Sequence, residues 1–147
     1  MGLFDAISIA GSGLSAQRVR MDVTAENLAN ADTTKAANGQ PYQRQEVQLS
    51  QLGSNGFGTA LNGAMQTGAP GAGGVEVAGV VADQTPDQQI YNPSSPEANA
   101  QGYVKMPNIS TVTEMSDLIS EQQSYQSDVT AMQTAKSMFT STIGLLK

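Results

Sequence analysis

At 147 residues the chain is the size of one domain and small for two. Apolar residues make up 39%, only 5% are aromatic and Trp is absent, so a large compact core is not expected. A net charge of −6 with neither Cys nor His excludes phosphate-neutralising basic surfaces, disulfides, thiol nucleophiles and imidazole chemistry.

Residues 3–30 read as a helix. Phe4, Ile7, Gly11, Leu14, Arg18, Met21, Ala25 and Leu28 alternate steps of three and four, a heptad seam interrupted only by Arg18. Asp5 favours the first turn, where the helix dipole suits an acid. Gly11-Ser12-Gly13 costs helix propensity and points to close approach by a neighbouring helix. Asn30, Asp32 and Asn38-Gly39 mark the exit and the loop beyond.

Residues 42–49 predict a strand. From Gln51 to Gly74 there is no charge, and glycine recurs; such a segment buries too little apolar area to offset its ordering entropy. It reads equally as a loop ordered by neighbours or as an open linker. Val75, Val77 and Val81 predict a strand, Asp83-Gln84-Thr85-Pro86-Asp87 a turn, and Ile90-Tyr91 the returning strand of a hairpin. Tyr103, Val104 and Met106 predict a short extended flank before Pro107.

The last segment, from Thr111 to Leu146, carries the strongest helical signal. Thr111-Val112-Thr113-Glu114 has the form of a capping box, and no Gly or Pro follows before Gly144. Met115, Leu118, Gln122, Tyr125, Val129, Met132, Lys136, Phe139, Ile143 and Leu146 form its seam. The expected fold is therefore mainly α. Long N- and C-terminal helices pack as an antiparallel hairpin or coiled coil around a small β-rich, Gly-rich middle insertion. The divisions fall at 1–32, 33–107 and 108–147. Residues such as Ile119 and Met138 lie off the seam and call for another surface, so the hairpin is expected to be completed by copies of itself.

Chemistry is sparse. Gly11-Ser12-Gly13-Leu14-Ser15-Ala16, with Asp32 downstream, matches a dinucleotide fingerprint, but no buried strand precedes it and no βαβ unit follows. Asp83, Asp87 and Glu97 flank turns and read as solvated acids. No catalytic residue, cofactor or metal site is expected, and neither is a nucleic-acid partner. No apolar stretch approaches the roughly 20 residues of a membrane span. Met1-Gly2-Leu3-Phe4-Asp5 lacks the form of a cleaved secretory signal.

Asn27-Leu28-Ala29-Asn30-Ala31-Asp32-Thr33-Thr34, closing the first helix, resembles the signature of the bacterial flagellar axial proteins, the rod and hook family. The resemblance continues through Gly39-Gln40-Pro41-Tyr42-Gln43-Arg44, through Tyr91-Asn92-Pro93-Ser94-Ser95-Pro96 to Gly102-Tyr103-Val104, and through Met106-Pro107-Asn108-Ile109. It departs at Ser95, where the family often has His, and at Gln123-Ser124-Tyr125-Gln126-Ser127-Asp128, where it often begins with Arg.

The resemblance implies a structural subunit of the proximal rod, exported by the flagellar type III apparatus without cleavage. Such a subunit assembles in the periplasm with copies of itself and other rod proteins, close to basal-body ring and export-gate components, and transmits torque. Leu14, Met21, Leu28, Met115, Leu118, Tyr125, Val129, Met132, Phe139 and Ile143 are then the expected assembly seam, and Asn27 and Asn30 are expected to shape the helix exit. Two rivals remain at the level of sequence: another type III-exported helical interaction protein, such as an effector or tip-like protein, and a dinucleotide-binding enzyme.

Overall fold

The structure, a computed structural model, describes residues 3–36, 39–52 and 73–144. Two long helices, α1 (Leu3–Ala29) and α2 (Thr111–Gly144), enclose four strands in the order β1 (Gln45–Gln51), β2 (Val75–Ala82), β3 (Gln88–Tyr91) and β4 (Tyr103–Met106). The side chains of Phe4 and Leu146 and most of the uncharged Gly-rich stretch lie outside the described residues.

The helices run antiparallel. Asn27 meets Glu114, Thr24 and Arg20 meet Glu121, Gly13 lies beside Asp128, and Gly11 lies beside Met132. Of the two glycines only Gly13 marks close approach: a methyl there would lie 3.0 Å from Asp128 Oδ2, whereas one at Gly11 would lie 3.6 Å from Met132 Cε, an ordinary contact. Between them Ser12 Oγ donates to the Ile9 carbonyl and accepts the amide of Val75 at the start of β2. The glycine-serine run therefore sits in a helix interior, its peptide groups engaged by the helix, and forms no strand-to-helix phosphate turn.

The expected pairing of 75–81 with 90–91 does not occur. β2 pairs instead with β1, antiparallel, with Gln45 opposite Ala82 and Gln51 opposite Val75, and Ala78 is left over as a bulge. β3 pairs with β4, Gln88 opposite Met106 and Tyr91 opposite Tyr103, so the extended flank is a full partner strand. The segment Asp83–Asp87 does not join β2 to β3 as a hairpin. Asp83 Oδ1 is taken up by the amide and hydroxyl of Thr85, and the Asp83 amide donates to the Arg44 carbonyl, continuing the β1 ladder.

Gly102, at φ +81°, closes the β3–β4 turn where a side chain would meet the Tyr91 ring at 2.8 Å. That ring packs edge-on against Tyr103, with centroids 5.3 Å apart.

The capping residue of α2 is Ser110 rather than Thr111. Its Oγ accepts the Thr113 amide, and its carbonyl accepts the Glu114 amide. Glu114, freed from the box, turns inward. The apolar core among the described residues is thin and made largely of small side chains: Ala16, Val23, Ala31, Val104, Ile109 and Ala135.

Candidate functional site

The largest buried side chains are polar, and they meet where α1, β1 and α2 converge. Asn27 and Glu114 are each 1% exposed. Asn27 Oδ1 accepts the Gln45 amide at 2.9 Å and the Tyr42 hydroxyl at 3.2 Å, while its Nδ2 donates to the Gln45 carbonyl at 2.9 Å and to Glu114 Oε2 at 3.3 Å. An asparagine side chain has two donor and two acceptor positions, so this one is saturated. Arg44 Nε donates to Glu114 Oε1 at 2.6 Å, and the guanidinium also contacts Glu46 and reaches Asp83 at 3.9 Å.

These contacts fix ionisation. The hydrogen bond to Glu114 is the main influence raising the Arg44 pKa and holding the guanidinium charged, against a smaller opposing effect of burial. Burial, then the charges of Glu26 and Glu114, push the Tyr42 phenol above its ordinary value. The Thr85 hydroxyl and amide hold Asp83 below the ordinary carboxylate value.

Two turns along α2, Glu121 is only 4% exposed. Its Oε1 receives the Thr24 hydroxyl at 3.4 Å and faces Arg20 Nε at 3.3 Å, while its Oε2 is buried without a donor. Gln17 Oε1 is a second buried acceptor without one. Burial raises the Glu121 pKa, only partly opposed by Thr24 and Arg20, and Asp117 and Glu114 push the same way. A cavity of about 220 Å³ opens beside these groups, lined by Arg20, Arg44, Glu46, Glu114, Asp117 and Glu121 among others. No cluster of acids among the described residues is arranged to hold a metal ion.

The seam residues fall into two groups. Leu14, Met21, Leu28, Leu118, Tyr125, Val129, Met132 and Phe139 are partly buried, whereas Met115 and Ile143 are exposed. The innermost positions of α2 are Glu114, Glu121 and Ala135, each one residue before an expected seam position at 115, 122 and 136. The helix thus turns Glu114 and Glu121 inward together with Ala135, beside the partly buried apolar seam. Val112, Met115 and Ile119 form an exposed apolar stripe on its first turns.

The motif residues gather in two places. Asn27 and Tyr42 belong to the buried polar junction, beside a buried Pro41. Leu28 and Ala29 line the neighbouring part of α1, and Asn30 closes that helix by donating to the Glu26 carbonyl and accepting the Thr33 hydroxyl. Tyr91, Pro93, Pro96, Gly102 and Tyr103 build the β3–β4 turn, while Pro107 is buried and Asn108 accepts from Gln88. Arg44, Glu114 and Glu121 were missed as inward-facing residues. The one signal for them was acids recurring at 114 and 121, a heptad apart on a helix.

Comparison with known proteins agrees with this layout. Residues 7–36 match the family model for flagella basal body rod proteins. Residues 100–145 match the model for the C-terminal region of flagellar basal body rod FlgEFG proteins. The chain is 42% identical over 142 residues to the flagellar basal-body rod protein FlgC of Bacillus subtilis, covering 94% of each. It is 40% identical over 145 residues to that of Salmonella typhimurium, covering 99% of this chain and 98% of the relative. It is 35% identical over 153 residues to that of Borreliella burgdorferi, covering 100% and 99%. With relatives this similar from end to end, the chain belongs to the flagellar basal-body rod protein family.

Proposed function

We propose that this chain is a structural subunit of the proximal part of the flagellar basal-body rod, not an enzyme, and that it transmits motor torque. Family membership along the whole length carries this reading. The antiparallel helix pair supports it: Val112 is 77% exposed and Met115 53%, and both lie on a helix whose other face already packs on α1. Long helices set side by side resist twist because any slip unseats many side chains at once.

In this reading the terminal helices, residues 1–32 and 108–147, form a coiled-coil-like layer of a helical tube, and residues 33–107 face neighbours. The assembly surface comprises Leu14, Met21, Leu28, Met115, Leu118, Tyr125, Val129, Met132, Phe139 and Ile143. Partners are copies of the chain and other rod proteins, with ring and export-gate components nearby. Export runs through the flagellar type III system to a periplasmic rod. No helix among the described residues is long and apolar enough to cross a membrane.

Complementation of a strain lacking the chain tests the proposal. The wild-type chain is expected in purified basal bodies and restores swimming. Val129→Asp is expected to be expressed yet absent from basal bodies. Wild-type chain missing from basal bodies would overturn the rod reading; normal swimming with Val129→Asp would overturn the assignment of the seam.

A further inference from the structure

The cavity beside Glu121 holds four carboxylates, Glu46, Glu114, Asp117 and Glu121, against two guanidiniums, Arg20 and Arg44. Arg44 is committed to Glu114, and Arg20 meets only one oxygen of Glu121, from a side chain that is itself 41% exposed. The buried Oε2 of Glu121 is left needing a donor. A buried carboxylate oxygen in an acidic cavity either keeps a proton or pairs with a cation, and the acids are not arranged for a metal ion. The volume is several times the roughly 30 Å³ share of one water molecule, enough for the planar head of an arginine.

The chain carries suitable groups but cannot use them on itself. Among the described residues, Arg18, Lys35, Lys105 and Lys136 form no ion pair. Lys35 and Lys105 line a separate cavity with Pro41, Pro96 and Tyr103. Arg18 is exposed on α1 and, two residues from Arg20, lies on nearly the opposite side of that helix from the acidic cavity. A head-to-tail assembly brings one face of a subunit against a different face of the next, which is the relation between these two surfaces.

We propose that the cavity over Glu121 is a socket for Arg18 of a neighbouring copy of this chain. The incoming guanidinium faces Asp117 and Glu46 over Glu121, whose Oε2, sealed in the free chain, rotates outward to meet it. It neutralises the excess negative charge, so the contact both steers and aligns the copies. The inference deepens the rod reading and rests on it.

The chain has no cysteine, so Arg18→Cys and Asp117→Cys can be introduced together without background. Basal bodies carrying this double variant, co-expressed with wild-type chain to keep the rod intact, are treated with a short bismaleimide that spans an arginine's reach. The expected product is a ladder of cross-linked dimers and larger species, absent from each single variant. Arg18→Glu alone is expected to lower incorporation at least about tenfold, and adding Asp117→Lys to restore it. Double-cysteine chain recovered in basal bodies but not cross-linked overturns the socket while leaving the rod reading intact. Wild-type chain found outside basal bodies overturns both.

Discussion

The side chain of Asn27 pairs with the backbone of Gln45 as a neighbouring strand would, accepting its amide and donating to its carbonyl, each over 2.9 Å. A helix side chain thereby supplies the hydrogen bonds that open β1. The same amide holds Tyr42 and Glu114, so one residue joins α1, the chain entering β1, and α2. Asn27→Ala is expected to destabilise the fold by about 1–3 kcal/mol, because partly buried backbone groups lose partners that solvent does not fully replace. Chemical denaturation measures the loss, and hydrogen exchange at the Gln45 amide locates it. Undiminished protection of that amide would show that the pairing contributes little.

Arg44 and Glu114 form a pair whose acid is almost fully buried. Arg44→Met is expected to cost about 3–5 kcal/mol by stranding the carboxylate. Adding Glu114→Gln is expected to recover part of this, so the double variant loses less than the two single losses combined. A single-variant loss below about 1 kcal/mol would place the pair with weak surface ion pairs.

The two glycines of α1 make opposite demands on space. Gly11→Ala adds a methyl at ordinary contact distance from Met132 and is expected to stabilise by about 1 kcal/mol through helix propensity. Gly13→Ala requires the Asp128 carboxylate to move, so its gain is expected to be smaller. Thermal unfolding of the two variants, measured side by side, gives the order. Equal gains would mean that Asp128 swings aside freely.

Glu121 makes stability depend on pH. Its pKa in the folded chain is raised, chiefly by burial, so the folded state holds the proton more tightly than the unfolded one. Its contribution is most favourable below the ordinary glutamate value and declines as pH climbs through the raised one. Glu121→Gln removes this dependence. The variant is therefore expected to gain stability relative to wild type as pH rises from acid toward neutral. Urea denaturation midpoints across that range provide the check, and a constant difference between the two chains would refute it.

Both terminal helices were legible because three-and-four spacing and an absence of proline are local properties. The seam was legible only in part. Leu118, Tyr125, Met132 and Phe139 lie along the inward-facing side, but Glu114 and Glu121 occupy innermost positions that a hydrophobic reading assigns to Met115 and Gln122. An acid reads as solvated until the arginine that neutralises it is known, and Arg44 lies 70 positions from Glu114. Strand partners were hidden for a similar reason. β1 and β2 are joined through no short turn, whereas the turn-like Asp83–Asp87 segment extends a ladder without joining β2 to β3 as a hairpin. Asn27 was marked by its motif, but its contact with Gln45 depends on a loop whose path the motif does not reveal.

The bond between Asn27 and Glu114 spans 87 positions. Closing so wide a circle means that the two terminal helices pair last, after Asn27 has met Gln45 only 18 positions on. A chain handled end first therefore cannot close this helix pair until its last helix has followed its first.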